Sequence, residues 1–374
     1  MRKTTANLAI KKQNRTDIYQ LLRNSLSLSR QDIVQQLQLS LPTVTKNLLE
    51  LEQEGLIAES GSISNTGGRR AKTYSIVRDA KIAIGLDITR HHVSAVSIDL
   101  TGTIIATERR SILFERSDSY YQKLGELVEA MVASCPRGSN QVLGVGIGVP
   151  GLISADNSEV VYGEILHFTG STCEEFSKHF DFPAALYNDA NAAGFAELWS
   201  GTDKDNAFYI MLSNNIGGAV WINGQSYCGE TLKSGEVGHL VLEENGKPCY
   251  CGQSGCVDCY LAATELSKYT DDNLASFFER LESGDQICDA IWQTYLSYLA
   301  RTVSNVHILF DCPIILGGYV GGYIEPYMSQ LIQKVERKSS FSYPGQYVKC
   351  CTYKKEAIAA GSALHFIDSF LKAI

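Results

Sequence analysis

The sequence predicts a small winged helix-turn-helix domain, mainly α-helical, over residues 1–80, followed by an α/β body. Three observations lead to this prediction. Apolar residues recur at helical spacing in residues 14–55, and two short strand patterns follow them. After residue 80, alternating strand patterns are interleaved with helical ones, as in α/β domains. Residues 1–80 contain twelve Lys and Arg against seven Asp and Glu, a net charge of +5, whereas the rest of the chain contains 21 basic and 34 acidic residues, a net charge of −13.

We call residues 1–80 the head and residues 81–374 the body. The head is predicted to hold three helices within residues 14–55, the first of which begins near Asn14. A tight turn at residues 38–40 joins the second and third helices, the arrangement of a helix-turn-helix. Ser29 is expected to cap the second helix, Ser40 and Pro42 to open the third, and Gly55 to end it. The start of the third helix carries polar side chains that can reach base edges in the major groove. They are Thr43, Thr45, Lys46 and Asn47.

A wing is predicted after these helices. Residues 56–59 and 73–76 have strand patterns, and residues 61–70 between them are rich in Gly and Ser and end in Arg69 and Arg70. Paired arginines on such a loop suit contact with phosphates or with the minor groove. The alternative is a small helical domain with a solvated basic loop. Because the acidic body would repel phosphate, we expect DNA contact to be confined to the head.

The body is predicted to be α/β with mixed sheets. Residues 82–88, 93–99 and 103–106 form a strand meander, and a strand at 142–149 runs into Pro150-Gly151 after a helix over 118–135. A strand at 184–187 leads into another helix, a strand pair follows at 207–213 and 217–222, and a helix is expected from residue 356.

Composition excludes several classes of protein. No apolar run approaches the roughly 20 residues that cross a bilayer, and the first residues, 1–5, lack the apolar stretch of a signal peptide. We therefore expect a soluble cytoplasmic protein with no membrane partner. The eleven cysteines are an odd number and four of them lie together, at 249, 251, 256 and 259. In such a chain this pattern favours metal ligands or free thiols over a disulfide framework.

Four short motifs of the body resemble those of a known protein family. They are Val149-Pro150-Gly151, Asn188-Asp189-Ala190-Asn191, Gly235-Glu236-Val237-Gly238-His239 and the run from Cys249 to Cys256. With them the chain resembles the ROK family (repressors, open reading frames and sugar kinases) over almost its whole length. The resemblance implies the two-lobed actin-like ATPase fold. The head followed by Gly68-Arg69-Arg70 is similar to the repressor branch, which includes xylose and N-acetylglucosamine repressors.

The Cys and His residues of these motifs predict one structural zinc ion per chain. His239, Cys249, Cys251 and Cys256 supply one imidazole and three thiolates, which fill a tetrahedral Zn²⁺ site without leaving an open position. The resemblance implies the same four ligands, with the histidine also facing a sugar. The alternative is a set of buried free cysteines beside an unrelated histidine. Cys259 is expected to be a packed thiol.

The resemblance also implies a monosaccharide pocket. The positions that match sugar-contacting residues of the family are Gly151, Asn188, Asp189, Glu236, His239 and Asp258. Asp258 stands where the family more often has Glu, and its shorter side chain would reach less far toward the sugar. In the family's kinases the residue at the Asp189 position is the base that takes the proton of the attacking hydroxyl. The alternative for the Asn188-Asp189 pair is an ordinary strand-to-helix turn with Asp189 as the helix cap.

The nucleotide motifs of the family are altered. Its first phosphate hairpin is Asp-x-Gly-Gly-Thr, whereas this chain has Asp87-Ile88-Thr89-Arg90-His91. Its second phosphate loop begins Gly-Thr-Gly, whereas residues 213–215 are Ser-Asn-Asn, and the adenosine motif of three glycines is Gly317-Gly318-Tyr319. Because phosphoryl transfer needs backbone amides close to the nucleotide phosphates, which glycine permits, these changes predict a protein without kinase catalysis.

We therefore predict a sugar-responsive transcriptional repressor of carbohydrate-utilisation genes that binds operator DNA as a homodimer or tetramer. The predicted organisation is a head over 1–80, a first lobe over 81–195 completed by a C-terminal helix over 356–374, and a second lobe over 196–355 with the zinc motif. An ATP-dependent sugar kinase that also binds DNA is the alternative, and a constitutive DNA binder with an empty pocket is a third possibility.

Overall fold

The head contains three helices and a small antiparallel sheet. The structure is a computed structural model that describes residues 2–63, 71–135, 137–201, 205–338 and 345–374. The elements of the head are α1 (Arg2–Arg23), β1 (Leu28–Ser29), α2 (Arg30–Leu37), α3 (Leu41–Gln53), β2 (Ile57–Ile63) and β3 (Ala71–Ile76), with the sheet order β1-β3-β2. These are the three predicted helices followed by the predicted strand hairpin.

The predicted helix ends of the head are confirmed. The Ser29 hydroxyl accepts from the Asp32 amide and the Asp32 carboxylate accepts from the Ser29 amide, so the two residues form a capping box on α2. The Ser40 hydroxyl accepts from the Thr43 amide at the start of α3. Gly55 takes the left-handed conformation (φ +71°) just after α3, where its amide donates to the Glu52 carbonyl.

Two features of the head differ from the prediction. The first helix begins at Arg2 rather than near Asn14, because residues 2–13 are mostly polar and show no apolar stripe from which a helix is predicted. Strand β1 has only two residues, too few for an alternating pattern, and it exists because Leu28 and Ser29 pair with Tyr74 and Thr73 of β3.

The first half of the body is built on a five-stranded sheet. Its strands follow the order β10-β7-β4-β5-β6, in which β4, β5 and β6 are antiparallel and β7 and β10 are parallel to β4. Strand β6 runs five residues beyond the predicted strand, into the polar sequence that ends at Ser111. The elements are β4 (Ile82–Ile88), β5 (His92–Asp99), β6 (Ile104–Ser111), α4 (Asp118–Ala133), β7 (Val142–Val149), β8 (Leu152–Ile153), β9 (Val160–Tyr162), α5 (Cys173–Ser177), β10 (Ala184–Asn188) and α6 (Asp189–Ser200).

The second half repeats this sheet. Its order is β13-β12-β11-β14-β15, and from β15 to β13 the neighbours are parallel, parallel, antiparallel and antiparallel, as they are from β10 to β6 in the first sheet. The elements are β11 (Ala207–Leu212), β12 (Ile216–Ile222), β13 (Gln225–Ser226), α7 (Asp258–Leu261), α8 (Thr264–Ser267), α9 (Leu274–Glu282), α10 (Gln286–Phe310), β14 (Ile314–Gly317), α11 (Gly318–Gly321), α12 (Met328–Glu336), β15 (Val348–Cys350) and α13 (Ala357–Ala373).

Helices α6 and α13 pack against each other in the middle of the molecule. The predicted C-terminal helix is α13, and it returns to the first sheet, where a side chain on Gly146 would collide with the Ser362 carbonyl. The predicted lobe boundary at residue 195 falls inside α6, which touches both sheets. Leu22 and Leu48 of the head belong to the same hydrophobic cluster as Val96 and Leu371 of the body. The head therefore shares a core with the first sheet.

Candidate functional site

A cavity of about 610 Å³ lies between the two halves of the body. Its walls come from the turn after β7, from β9, from the start of α6, from β12 and from the loop that follows β13. Five of the six predicted sugar residues line it, namely Gly151, Asn188, Asp189, Glu236 and His239. Lining residues that the sequence did not single out include Tyr162, Glu164, Lys233 and Tyr250, and only their proximity to known motifs could have indicated them.

Asn188 and Asp189 are held in place by the start of α6. The Asn188 Oδ1 caps the helix by accepting from the Asn191 amide at 2.9 Å, and its Nδ2 donates to the Gly151 carbonyl at 3.0 Å. The Asp189 Oδ1 accepts from the Ala190 amide at 2.8 Å. The helix cap is therefore Asn188 and not Asp189, the cap that the alternative had expected, and Asn188 also ties the Gly151 turn to α6 at the cavity wall.

The cavity disfavours negative charge on Asp189. The pKa of Asp189 is raised to about 7, mainly by burial and to a smaller extent by the nearby carboxylates of Asp87 and Glu236, while the Ala190 amide opposes the shift. A carboxyl group with such a pKa can accept or donate a proton near neutral pH. The Asp189 carboxyl can therefore accept a hydrogen bond from one sugar hydroxyl or donate one to another.

The four predicted metal ligands converge at one edge of the cavity. The ligand atoms of His239, Cys249, Cys251 and Cys256 all lie within 4.8 Å of one another. The sulfurs of Cys251 and Cys256 are 3.7 Å apart, and the Cys249 sulfur is 3.9 Å from the His239 Nδ1. Tetrahedral zinc with Zn–S bonds of about 2.3 Å places its sulfurs about 3.8 Å apart. The donor set therefore fits a four-coordinate zinc ion.

His239 faces the metal ligands on one side and the cavity on the other. Its Nδ1 is near the Cys249 sulfur, whereas its Nε2 is 3.4 Å from the Tyr250 hydroxyl and 4.0 Å from the Glu236 carboxylate. A metal on Nδ1 would keep the proton on Nε2. The imidazole would then present a fixed N–H donor to a sugar hydroxyl. Cys259 is not one of the four converging residues: its thiol is near Cys249 but lies 3.5 Å from the Pro248 carbonyl, to which it can donate.

Asp258 differs from the prediction, because it is absent from the residues that line the cavity. It is 7% exposed, and its Oδ1 accepts from the Ile216 amide at 2.6 Å. Its side chain contacts the backbone of β12 and does not extend to the surface of the cavity. Asp258 therefore supports the wall of the cavity through β12 rather than forming part of the surface.

Two of the altered nucleotide motifs meet at a second, smaller cavity, whereas Asn215 of the third lines the large one. The hairpin between β4 and β5 and the start of α11 enclose a cavity of about 130 Å³ whose lining includes Asp87, Thr89, Arg109 and Tyr319. Burial raises the pKa of Asp87 to about 7, although Arg109 opposes this shift. Arg90, which replaces a glycine of the family motif, donates to the Ile165 carbonyl. This volume lies below the roughly 300–1,000 Å³ that is typical of small-molecule sites.

The predicted DNA-contacting residues divide into three groups. Thr43, Thr45 and Lys46 keep exposed surface on α3, and Lys46 is the most exposed of them. The prediction for Asn47 was wrong: it is 2% exposed, and its Nδ2 donates to the Thr43 carbonyl at 2.8 Å, because it lies on the core side of α3. Arg69 and Arg70 lie outside the described residues.

The part of the chain that the structure describes has no helix that combines the length and the apolar surface needed to cross a membrane.

The fold and the site define a two-lobed α/β protein that carries a helix-turn-helix head and a Cys/His cluster at its cleft. The model of the ROK family matches residues 83–367, and the chain belongs to this family. The predicted family and fold class are thereby confirmed.

Known proteins resemble the chain at the level of sequence and fold. A xylose repressor of Bacillus spizizenii is 30% identical over 252 residues, which cover 67% of this chain and 65% of that protein. A ROK-family transcriptional regulator described as a homologue of the E. coli Mlc protein has a TM-score of 0.74 at 21% identity, covering 97% of both chains. A ROK-family glucokinase from Streptomyces griseus, solved with glucose and AMPPNP, has a TM-score of 0.64 at 21% identity over 76% of this chain and 98% of that one.

Proposed function

We propose that the chain is a sugar-responsive, DNA-binding transcriptional repressor that carries one structural zinc ion and acts in the cytoplasm. The observation that carries the proposal is the contrast between two cavities of the body. The large cavity is lined by hydrogen-bonding groups and lies beside four residues that could ligate zinc. The cavity beside the altered phosphate hairpin, between Asp87 and Tyr319, is only about 130 Å³, which supports a protein that does not use ATP.

The sugar binds between Asp189 at the start of α6 and the Glu236–His239 turn of the second half. These groups offer acceptors and donors that match a ring of hydroxyls. Because they belong to different halves of the body, a bound sugar stabilises a closed arrangement of the two sheets. Zinc supplies the fixed orientation of the His239 ring and stabilises the loop that carries the cysteines.

The head binds operator DNA through α3 and the wing, with Arg69 and Arg70 on phosphates or in the minor groove. One recognition helix reads one half-site, so the proposal requires a homodimer or tetramer whose heads are about 34 Å apart or a multiple of this. A change in the closure of the body alters this spacing and with it the affinity for the operator. The B. spizizenii relative, named a xylose repressor, supports a sugar as the effector.

A panel of monosaccharides tests the proposal. Full-length protein is heated with D-xylose, D-glucose or N-acetyl-D-glucosamine, with and without ATP and Mg²⁺. We expect one sugar to raise the Tm and ATP to add nothing, because a ligand that binds only the folded state stabilises it by RT ln(1 + [L]/Kd). A duplex selected by the protein from a random library then serves to measure how the sugar changes DNA affinity. No Tm shift with any sugar, together with unchanged DNA binding, favours the constitutive DNA binder.

The sugar-kinase alternative deserves its own assay because the pKa of Asp189 suits a catalytic base. Sugar-dependent release of ADP, lost in Asp189→Asn, would establish that alternative. We expect ADP release no faster than the Asp189→Asn background.

A further inference from the structure

Helix α6 connects the sugar cavity to the head. Its first residue is Asp189 at the cavity, and Trp199 in its last turn lies beneath Arg23, the last residue of α1. The twelve residues of the helix span about 18 Å. One rigid element therefore has the cavity at one end and the DNA-binding head at the other.

The contact between α6 and the head is specific. The guanidinium carbon of Arg23 lies 4.2 Å from the centre of a Trp199 ring, and the Arg23 Nε donates to the Leu100 carbonyl at 3.1 Å. Gly102, in the turn after β5, supports the indole: a side chain there would come within 2.3 Å of the Trp199 ring. The Trp199 ring is thus fixed between this turn and the end of α1.

The second half of the body also holds α6. The Glu197 carboxylate is 4% exposed and accepts from the amides of Thr352 and Tyr353, both at 2.7 Å. These two residues connect β15 of the second sheet to α13. Trp221 of β12 packs against Gly194, where a side chain would come within 2.4 Å of the ring. A movement of the second sheet is therefore transmitted to α6.

The first half keeps α6 from bending. A side chain on Gly361 of α13 would come within 1.7 Å of the Ala192 carbonyl, so the backbones of the two helices touch. The His365 ring of α13 is stacked between Tyr187 and Phe195, with ring centres 4.2 and 3.9 Å apart. These close contacts with α13 favour movement of α6 as one rigid element.

We propose that α6 couples sugar binding to DNA binding, and that the Arg23–Trp199 contact is the point at which the head detects the arrangement of the body. This inference rests on the proposed function. Coupling requires that each ligand make different contacts in the two states. The sugar bridges Asp189 and the Glu236–His239 turn, the second sheet grips α6 through Glu197, and α6 shifts beneath Arg23.

Two variants test the role of this contact. Trp199→Leu keeps an apolar side chain but removes the aromatic face, and Arg23→Lys keeps the charge but loses the planar group that stacks on it. Tyr298→Leu is the matched control, because it removes a similar contact with Arg301, at 5.8 Å, in the second half of the body. The readouts are the Tm shift with the most stabilising sugar of the panel, and the Kd for the selected duplex with and without that sugar.

We expect Trp199→Leu and Arg23→Lys to keep the Tm shift of the wild type and to keep its sugar-free Kd within about threefold. The ratio of the Kd with sugar to the Kd without sugar should move toward one by a factor of at least about five, the lower end of typical allosteric coupling. The control should keep the wild-type ratio. Wild-type ratios in both variants would overturn the inference and leave the proposed function intact. Loss of sugar-free DNA binding in both would also overturn it, since the contact would then only support the head. A wild-type ratio of one, measured first, would refute the proposed function itself.

Discussion

The Glu197 carboxylate provides a quantitative test of how the two halves of the body are joined. It accepts two backbone amides at 2.7 Å, from Thr352 and Tyr353, and it is 4% exposed. A hydrogen bond to a charged group contributes about 1.5–3 kcal/mol. Glu197→Ala removes both bonds, but water can reach the exposed Thr352, so we expect a loss of about 3 kcal/mol rather than the full sum.

Glu197→Gln should have a smaller effect. The amide oxygen of glutamine can accept one of the two N–H groups, whereas its NH₂ faces the other donor, so we expect a loss of about 2 kcal/mol. Thermal unfolding followed by circular dichroism measures both variants. At about 2 °C per kcal/mol for a large chain, the Tm should fall by about 6 °C for Glu197→Ala and about 4 °C for Glu197→Gln.

Glu129→Ala is the control, because Glu129 is an exposed glutamate on α4, and we expect it to change the Tm by less than about 1 °C. If Glu197→Ala has the same Tm as this control, the two amides find other partners, and the carboxylate does not stabilise the contact between β15 and α6. The order of the Tm values of the two Glu197 variants is a second check. Glu197→Gln should lose one hydrogen bond and Glu197→Ala two, so a lower Tm for Glu197→Gln than for Glu197→Ala would contradict this explanation.

Three further predictions concern the metal, the cavity and the head. Purified protein should contain about one zinc ion per chain, Cys256→Ser should lose it and Cys259→Ser should retain it; a metal analysis that finds no zinc in wild-type protein never exposed to chelator would contradict the assigned ligands. Since burial raises the pKa of Asp189 from 3.8 to about 7, the folded state resists its ionisation and stability contributed by the neutral form is lost as the pH rises through this range. The Tm advantage of Asp189→Asn over the wild type should therefore be larger at pH 8 than at pH 4, and an equal difference at both would show that Asp189 ionises freely. Replacing the Arg69–Arg70 pair by alanine should weaken binding to all duplexes and reduce its salt dependence, whereas Lys46→Ala should change the preferred sequence, as measured by anisotropy on a set of duplexes; identical effects of the two changes would contradict the placement of wing and recognition helix.

The features that could be predicted from the sequence are those set by neighbours along the chain. The caps at Ser29 and Ser40 and the end of α3 at Gly55 depend on residues within one turn of helix. The Cys249–Cys256 run needs only a tight loop to bring its sulfurs together. The candidate cavity residues followed from the family resemblance, and five of the six line one cavity.

The features that could not be predicted depend on contacts between distant residues. In the sequence, Glu197 looks like an ordinary helical glutamate. No neighbouring residue indicates that it accepts hydrogen bonds from the amides of Thr352 and Tyr353. Asn47 is a residue type that often contacts bases, but the orientation of α3 on the core of the head buries its side chain. Asp258 matches a sugar-contacting position of the family, yet its carboxylate accepts from the distant Ile216 amide at the start of β12.

The shared hydrophobic cluster of the head and the first sheet limits how such a protein can be re-engineered. Residues of α1 and α3 belong to the same cluster as Leu371 near the end of the chain, and Arg23 is anchored on the Leu100 carbonyl. A hybrid made by grafting a foreign DNA-reading module at residue 80 would leave this apolar surface facing an unrelated helix. The exchangeable unit is therefore the module together with the surface on which it sits, and successful chimaeras should be those that transplant both.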